Sequence, residues 1–535
     1  MSSKAYTDLA TSLNPDKVLT PINEAIPGRE ADMKKTHSGG VAFILGPWGV
    51  LDRFLMIGSE GGNYTVSERD VTKQGFDVVK KCIAEDGTRV VARIVEYSTA
   101  GRAPKNDSCV VALALCAVHG DVATVEAAYA ALTKVCRIGT HLFLFVSVLD
   151  SLGKWNAAAK RGVAKWYTSK SADRLAVQLL KYQQRNGWAH RDVLRLAHVK
   201  PSSDVQSALF RYSVKGELET GTIVPQTVID FEYLKRATDK SQVLKLVESN
   251  DLLTWEMVPT NFLKDKDVLA ALTQNMGMTA LIRKLGPLTA HGVISPLSAG
   301  SKLAISKLSD REALRAGRVH PITILQALKQ YSAGRGEKGS LVWTPDQRVV
   351  DALNDAFYAA FDTVEKTNEN YFMGVDCSGS MFSATVNGSP NLTAAEVAGV
   401  MALAIIKNQP NYWIGGFNDK MSELKISPSM RLDAVLKIMQ KFDWGSTDCS
   451  LPFITARQMK MDVDKFTVIT DNDVNTGKAH VLQELRDYRK QFNAGARSVV
   501  IATQMSDVTI ADPKDGGMLD IAGFDSAAPQ IIANL

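Results

Sequence analysis

Near residue 365 the periodicity of this 535-residue chain changes, and no single architecture accommodates both sides of the change. From about 70 to 360, apolar residues recur three and four apart, as in SCVVALALCAVHG, VATVEAAYAALTKVC, SADRLAVQLLKYQQR and SQVLKLVESNDLL. That is the period of helices with one face in a core. Each run ends at Gly, Asn or Pro, where helices stop. Strand-like alternation is scarce. Successive helix pairs of this length predict an α-solenoid of loosely similar repeats without a strict period.

After 365, short buried-looking strand runs (YFMGVD, YWIGGF, FTVITD, SVVIAT) alternate with helical ones (TAAEVAGVMALAIIK, RLDAVLKIMQKF, LPFITARQMK, HVLQELRDYRK). That order predicts a doubly wound α/β module, a parallel sheet covered on both faces. Ligands of such sheets sit at the carboxyl ends of strands. Asp376 and Asp471 each end a strand run, so they share one crevice if their strands are neighbours.

Composition narrows the class. Apolar content of 45% and charged content of 22% suit a soluble globular protein, and the length suits two or more domains. The polar start MSSKAYTDLATSLNPDK lacks the apolar core of a signal peptide. The apolar stretch near Leu142 to Leu149 is far short of the ~20 residues that span a bilayer. Six cysteines without CxxC spacing argue against a disulfide framework or a zinc knuckle. A cytoplasmic protein with reduced thiols is expected.

Asp376, Ser378 and Ser380 alternate in a loop after one strand, Asp471 ends another, and WGSTDCS puts Thr447 in a Gly/Ser turn before a helix. Carboxylates and hydroxyls are hard oxygen ligands, suited to a magnesium ion that keeps several waters and a position for a partner's oxygen. DxSxS, a later Thr in a Gly-rich turn and a strand-end Asp together resemble the metal-ion-dependent adhesion site of von Willebrand factor A domains, over about 365–535. By that resemblance Asp376, Ser378, Ser380, Thr447 and Asp471 would contact a divalent ion directly or through water. Two other readings stand beside it. Asp and Ser also cap turns and helix starts. A strand-end Asp begins the haloacid-dehalogenase-type phosphatases too, but those need a second Asp where this chain has Ser378. Cys377 has no partnered base in the pattern, so a small buried thiol is the plainer reading.

The net charge of +5 conceals an asymmetry. Residues 151–200 hold 11 Lys or Arg against 2 Asp or Glu, while 361–535 hold 16 basic against 21 acidic residues. Lys170, Arg174, Lys181 and Arg185 are spaced 4, 7 and 4 apart, one stripe if the segment is helical. Ala172, Leu175, Ala176 and Leu179 form the opposite face. Arg191, Arg195 and His198 repeat the plan, with Val193, Leu194 and Ala197 inward. One helix earlier, Lys160, Arg161 and Lys165 stand beside Trp155, Trp166 and Tyr167. Such a strip can follow a phosphate backbone, and arginine can stack on unpaired bases. The alternative is a solvated basic surface with no partner. The aromatic residues are expected in the core.

Several stretches resemble one family in order along nearly the whole chain after about residue 48. They are RFLMIGSEGGNYT, KVCRIGTHLFLF, KYQQRNGWAHRDVLRLAHVKPSS, MTALIRKLG, RVHPITILQALKQY, STDCSLP, FTVITDN and TIADPKDGGMLDIAGFD. The chain is identified by them as similar to the Ro autoantigen family, the TROVE-module RNA-binding proteins. The resemblance implies a monomeric ring of HEAT-like helical repeats over 48–362, a von Willebrand A domain over 363–535, and a divergent N-terminal arm over 1–47 that favours a bacterial source. It implies Y RNA binding on the outer basic surface, mapping most directly onto Lys181, Arg185 and His198. Single-stranded ends of misfolded or structured noncoding RNAs would pass through the ring. A 3′-to-5′ exonuclease of polynucleotide phosphorylase type is an implied partner, and no catalysis by the ring itself is implied. The metal loop reads DCSGSM where animal members have DVSASM, with the oxygen ligands kept. GSEGGNY at 58–64 reads as a turn between helices, since it follows a helical pattern and lacks the Lys-Ser/Thr ending of a phosphate loop. A reading from another class is a protein-interaction scaffold whose A domain binds an acidic partner through the metal.

Overall fold

Helices that bury one stripe build much of the chain, and several of them begin at a side-chain cap. The computed structural model describes residues 19–58, 67–336, 340–361, 366–386, 392–441 and 445–535. They fall into two compact units, one of residues up to Val78 together with Phe361–Leu535, the other of Val79–Ala360.

In the helical unit, Asp107–His119, Val122–Val135, Gly139–Ser151, Ala157–Thr168, Ala172–Lys181, His190–Ala197 and Asp204–Lys215 follow one another through short turns. Asp121, Asn156 and Ser203 accept the backbone N–H of Thr124, Ala159 and Gln206 at the helix starts, each cap contributing about 1 kcal/mol. Neighbouring helices pack as successive layers: 107–119 touches both 122–135 and 139–151, and 157–168 touches 190–197. Trp166 and Tyr167 lie fully in this core, as expected. The helix Glu68–Ala100 breaks at Asp86 (φ −157°, ψ 88°), whose carboxylate accepts the N–H of Arg89 and so caps the second segment. The ends of the unit meet. Arg318 Nε donates to Thr99 O (2.8 Å), and His320 Nε2 lies 3.0 Å from Arg102 O.

One strand pair interrupts the helices. Gln184–Arg185 pairs antiparallel with Trp188–Ala189. The turn between them, Asn186-Gly187, has positive φ at both positions (51° and 77°), the backbone of a two-residue type I′ hairpin.

In the other unit, six strands lie in the order Met518–Ala522, Arg497–Ala502, Lys465–Thr470, Asn370–Asp376, Asn411–Phe417, Met421–Glu423. All neighbours are parallel except the last pair, which is antiparallel. The helix Ala394–Ile406 is buried along its whole length, as its nearly unbroken apolar sequence requires.

The compact units divide at 360/361, within two residues of the boundary expected at 362, and at 78/79 rather than at 47. Instead of a separate arm, Met33–Lys35 pairs with Val41–Ile44, which pairs with Val508–Thr509 in a second, antiparallel sheet. The physical reason is a shared core: Ile22, Ile26, Met33, Val41 and Phe43 pack in one cluster with Phe372, Phe466, Tyr488 and Val500. Arg53 is wholly buried, bonding Asp520 (2.7 Å), Ser506 Oγ (2.6 Å) and Val508 O (2.6 Å). Gly58 ends the helix Pro47–Ile57 at φ 73°, and the rest of the GSEGGNY stretch lies outside the described residues. Among the described residues, no helix is long and apolar enough to cross a membrane.

Candidate functional site

The register brings the two acidic strand ends together. Strands 370–376 and 465–470 are hydrogen-bonded neighbours, with Val375 opposite Ile469, so Asp376 and Asp471 emerge side by side. Thr470 Oγ1 donates to Asp376 Oδ2 (2.6 Å) and Ser378 N donates to Asp376 Oδ1 (2.9 Å). Ser378 and Ser380 have their hydroxyl oxygens 3.1 Å apart. Backbone bonds carry the Thr447 turn to the same place: Gly379 N donates to Gly445 O (3.3 Å), and Asp448 N to Asn418 O (2.9 Å) just beyond strand 411–417. Asn475 then pins Thr447, accepting its N–H at 2.9 Å. The Thr447 hydroxyl has no hydrogen-bond partner among the described residues.

Asp376, Ser378, Thr447 and Asp471 are buried, and Ser380 is half-buried. Burial and the neighbouring Asp471 charge push the Asp376 carboxyl up to about 7. Asp471 is raised as well, chiefly by burial, with the Ser380 hydroxyl acting the other way. No lysine or arginine pairs with either carboxylate among the described residues. Two like charges in a dry site are what a bound cation relieves. Two carboxylates and three hydroxyls form a hard donor set that fits a Mg2+-like ion completing its shell with water. Among the described residues no three His, Cys, Asp or Glu side chains converge for metal binding, so such an ion would depend on the hydroxyls. Cys377 is buried with its thiol pushed well up by burial, which does not suit a nucleophile.

The basic residues divide into three groups. Arg161, Lys165, Arg174, Arg185 and Arg195 are exposed and have no carboxylate partner among the described residues. Lys160 is half-exposed, and His198 is exposed at the left-handed cap (φ 50°) of helix 190–197. Lys181 Nζ lies 3.6 Å from Glu256 Oε2, and Arg191 Nε 3.3 Å from Asp192 Oδ1. Lys170 belongs to the framework: its Nζ donates to Trp166 O (2.7 Å) and sits 3.4 Å from the centre of the Trp166 ring. Burial pulls its ammonium down to about 8.

The expected four-residue helical stripe is therefore corrected. The helix is only Ala172–Lys181, carrying Arg174 and Lys181. Lys170 precedes it, and Arg185 stands on the hairpin because Asn186-Gly187 turns the chain there. Beside that hairpin runs a groove of about 410 Å3 lined in part by Gln183, Arg191, Tyr212, Phe231 and Lys235. His190 is a core residue, 2.9 Å from the Tyr167 hydroxyl and 3.1 Å from Gln178 O. Sequence reasoning missed Glu256, which has no local signal, and Asn475, which stands in the polar run after Asp471.

Comparison with known proteins bears on both regions. A TROVE-domain family model matches residues 34–250 and 236–331, and a Ro60 vWA-domain model matches 370–535. The chain is 33% identical over 529 residues to the RNA-binding protein RO60 of Deinococcus radiodurans, covering 98% of each. It is 32% identical over 576 residues to the RNA-binding protein RO60 of Caenorhabditis elegans, covering 93% of this chain and 89% of that one. The crystal structure of the Deinococcus radiodurans RO (RSR) protein matches with a TM-score of 0.69, over 91% of this chain and 99% of that one. The two family models together cover both modules, the relatives match over nearly the whole chain, and the chain belongs to the Ro60 family of TROVE-domain proteins.

Proposed function

We propose that this chain is a non-catalytic RNA-binding protein that holds a small noncoding Y RNA on the basic surface of residues 160–198. The observation that carries the reading is the set of exposed cations without a carboxylate partner among the described residues, drawn from four elements in sequence order: Arg161 and Lys165, Arg174, Arg185, and Arg195. Free cations at such spacing neutralise phosphates and release counterions without first breaking an ion pair. The relatives' name as RNA-binding proteins supports the same reading. Single-stranded ends of misfolded RNAs would pass through a ring of the helical repeats, with a 3′-to-5′ exonuclease of polynucleotide phosphorylase type as the partner that degrades them, in the cytoplasm.

Asp376, Ser378, Ser380, Thr447 and Asp471 would hold Mg2+, directly or through water. When bound, the ion supplies a coordination position for a partner's carboxylate or phosphate oxygen. Thr470 orients Asp376 toward it, and the Asn475 bonds set the Thr447 turn.

The test is binding of a labelled Y-type stem-loop to the wild type and to the Lys181→Ala/Arg185→Ala/His198→Ala variant across a salt series. Weaker binding with a salt slope shallower by about 2 is expected, since each phosphate contact contributes about 0.9. Equal affinity and equal slope would overturn the assignment.

A further inference from the structure

The loop after strand 465–470 carries two parts of the candidate metal site, and the N-terminal segment holds that loop in place. Asp471 opens the loop. Four residues on, Asn475 Oδ1 accepts Thr447 N (2.9 Å), while Asn475 N and Thr476 N donate to Thr447 O (3.3 and 3.2 Å). One irregular segment therefore positions two ligands that come from distant points of the chain. It has no helix or strand of its own between Asp471 and His480.

What fixes this segment comes from residues 22–40. Thr36 Oγ1 and Gly40 N both donate to Val474 O, at 2.8 and 3.1 Å. Ser38 donates twice to the Asp473 carboxylate, from its N–H (2.9 Å) and from its hydroxyl (2.7 Å). Ile22 N donates to Gly477 O (3.2 Å). Gly40 is required by this closeness, because a Cβ there would lie 2.3 Å from Val474 O. Ser38 also directs the Asp473 carboxylate, which is not itself in the candidate donor set, to the N-terminal turn.

We propose that the turn 36–40 is a clamp that sets the divalent-cation affinity of the crevice by fixing the 471–477 loop. The proposal rests on the metal reading given above. Residues that orient ligands from outside the coordination shell commonly change metal affinity by 10–100-fold when removed, on an order-of-magnitude basis. Thr36, Ser38 and Gly40 have that position here without touching an ion themselves.

The experiment is titration of the full chain with Mn2+, read by the loss of the free-ion signal in electron paramagnetic resonance, with Mg2+ as competitor. The Thr36→Val/Ser38→Ala variant should bind Mn2+ roughly tenfold more weakly. Ser38→Ala alone, on an exposed turn and without risk to the core, should show a smaller loss in the same direction. Lys34→Ala, which removes the nearby Lys34–Asp507 pair but no bond to the loop, should match the wild type. A wild type that takes up no Mn2+ overturns the metal reading, and the clamp with it. A wild type that binds, with Ser38→Ala and the double variant binding equally well, overturns the clamp alone.

Discussion

Glu256→Gln should tighten RNA binding, although it removes no group that would touch RNA. Lys181 cannot meet a phosphate while it faces Glu256 Oε2 at 3.6 Å. The Lys181 side chain is 20% exposed and that of Glu256 43%, so the pair is open to water and worth about 0.2–1 kcal/mol. A phosphate that takes over Lys181 must first offset that amount. Without the carboxylate the cost disappears, and affinity should rise by about 1.4- to 5-fold. The number of phosphates neutralised stays the same, so the salt slope should change by less than about one phosphate's share. The assay is fluorescence anisotropy with a labelled Y-type stem-loop over roughly 50–200 mM salt. The decisive comparison is a double-mutant cycle: in a Lys181→Ala background, Glu256→Gln should no longer help. Weaker binding by Glu256→Gln, or the same gain with Lys181 absent, would refute the reasoning.

The metal-free protein should lose stability as pH rises. The folded-state value of Asp376, about 7, is above its ordinary 3.8, so the folded form binds the proton more tightly than the unfolded one. That contribution is complete below about pH 4 and is lost as pH rises through 7. Urea midpoints at several pH values should show the fall, and saturating Mg2+ should restore about 2.7 kcal/mol at a hundredfold excess over Kd; a flat profile without metal would refute it. Arg53→Met should cost about 3 kcal/mol, because it leaves Asp520 and the Val508 carbonyl without their buried partner; differential scanning calorimetry checks this, and an unchanged Tm would contradict it. The six buried cysteines should resist a thiol reagent in the native protein and all react in denaturant, and a rapidly labelled native thiol would count against the packing.

The α/β module was legible because four of its six strands are apolar runs and each acidic ligand stands where such a run stops, whereas the edge strands Met421–Glu423 and Met518–Ala522 carry polar residues and gave no such signal. The helical unit was legible from its period. What escaped was set by long-range or very local factors. Met33–Lys35 and Val41–Ile44 are too short for a pattern, and their anchor Val508–Thr509 is far away in sequence. The hairpin at 184–189 did have a signal, Asn186-Gly187, hidden because the flanking cations fit a helical spacing equally well. Lys170 looked like its neighbours, and only the Trp166 ring and carbonyl distinguish it. Asp376 and Asp471 follow neighbouring strands, as their order suggested, while the loop that positions Thr447 depends on contacts no local pattern encodes.

The pairing of the earliest described residues with the latest segments also orders events during synthesis. Thr20 donates its N–H to Gln483 Oε1, 463 positions downstream, and the strand Val41–Ile44 waits for Val508–Thr509. At ribosomal rates of about 5–20 residues per second, that wait lasts roughly 20–90 s. The helical segment can settle as it emerges, whereas the apolar face of the N-terminal strands stays uncovered until the last fifth of the polypeptide arrives. A nascent chain stalled before residue 470 would thus display Ile22, Val41 and Phe43 to chaperones, and would lack the loop that the turn 36–40 later grips.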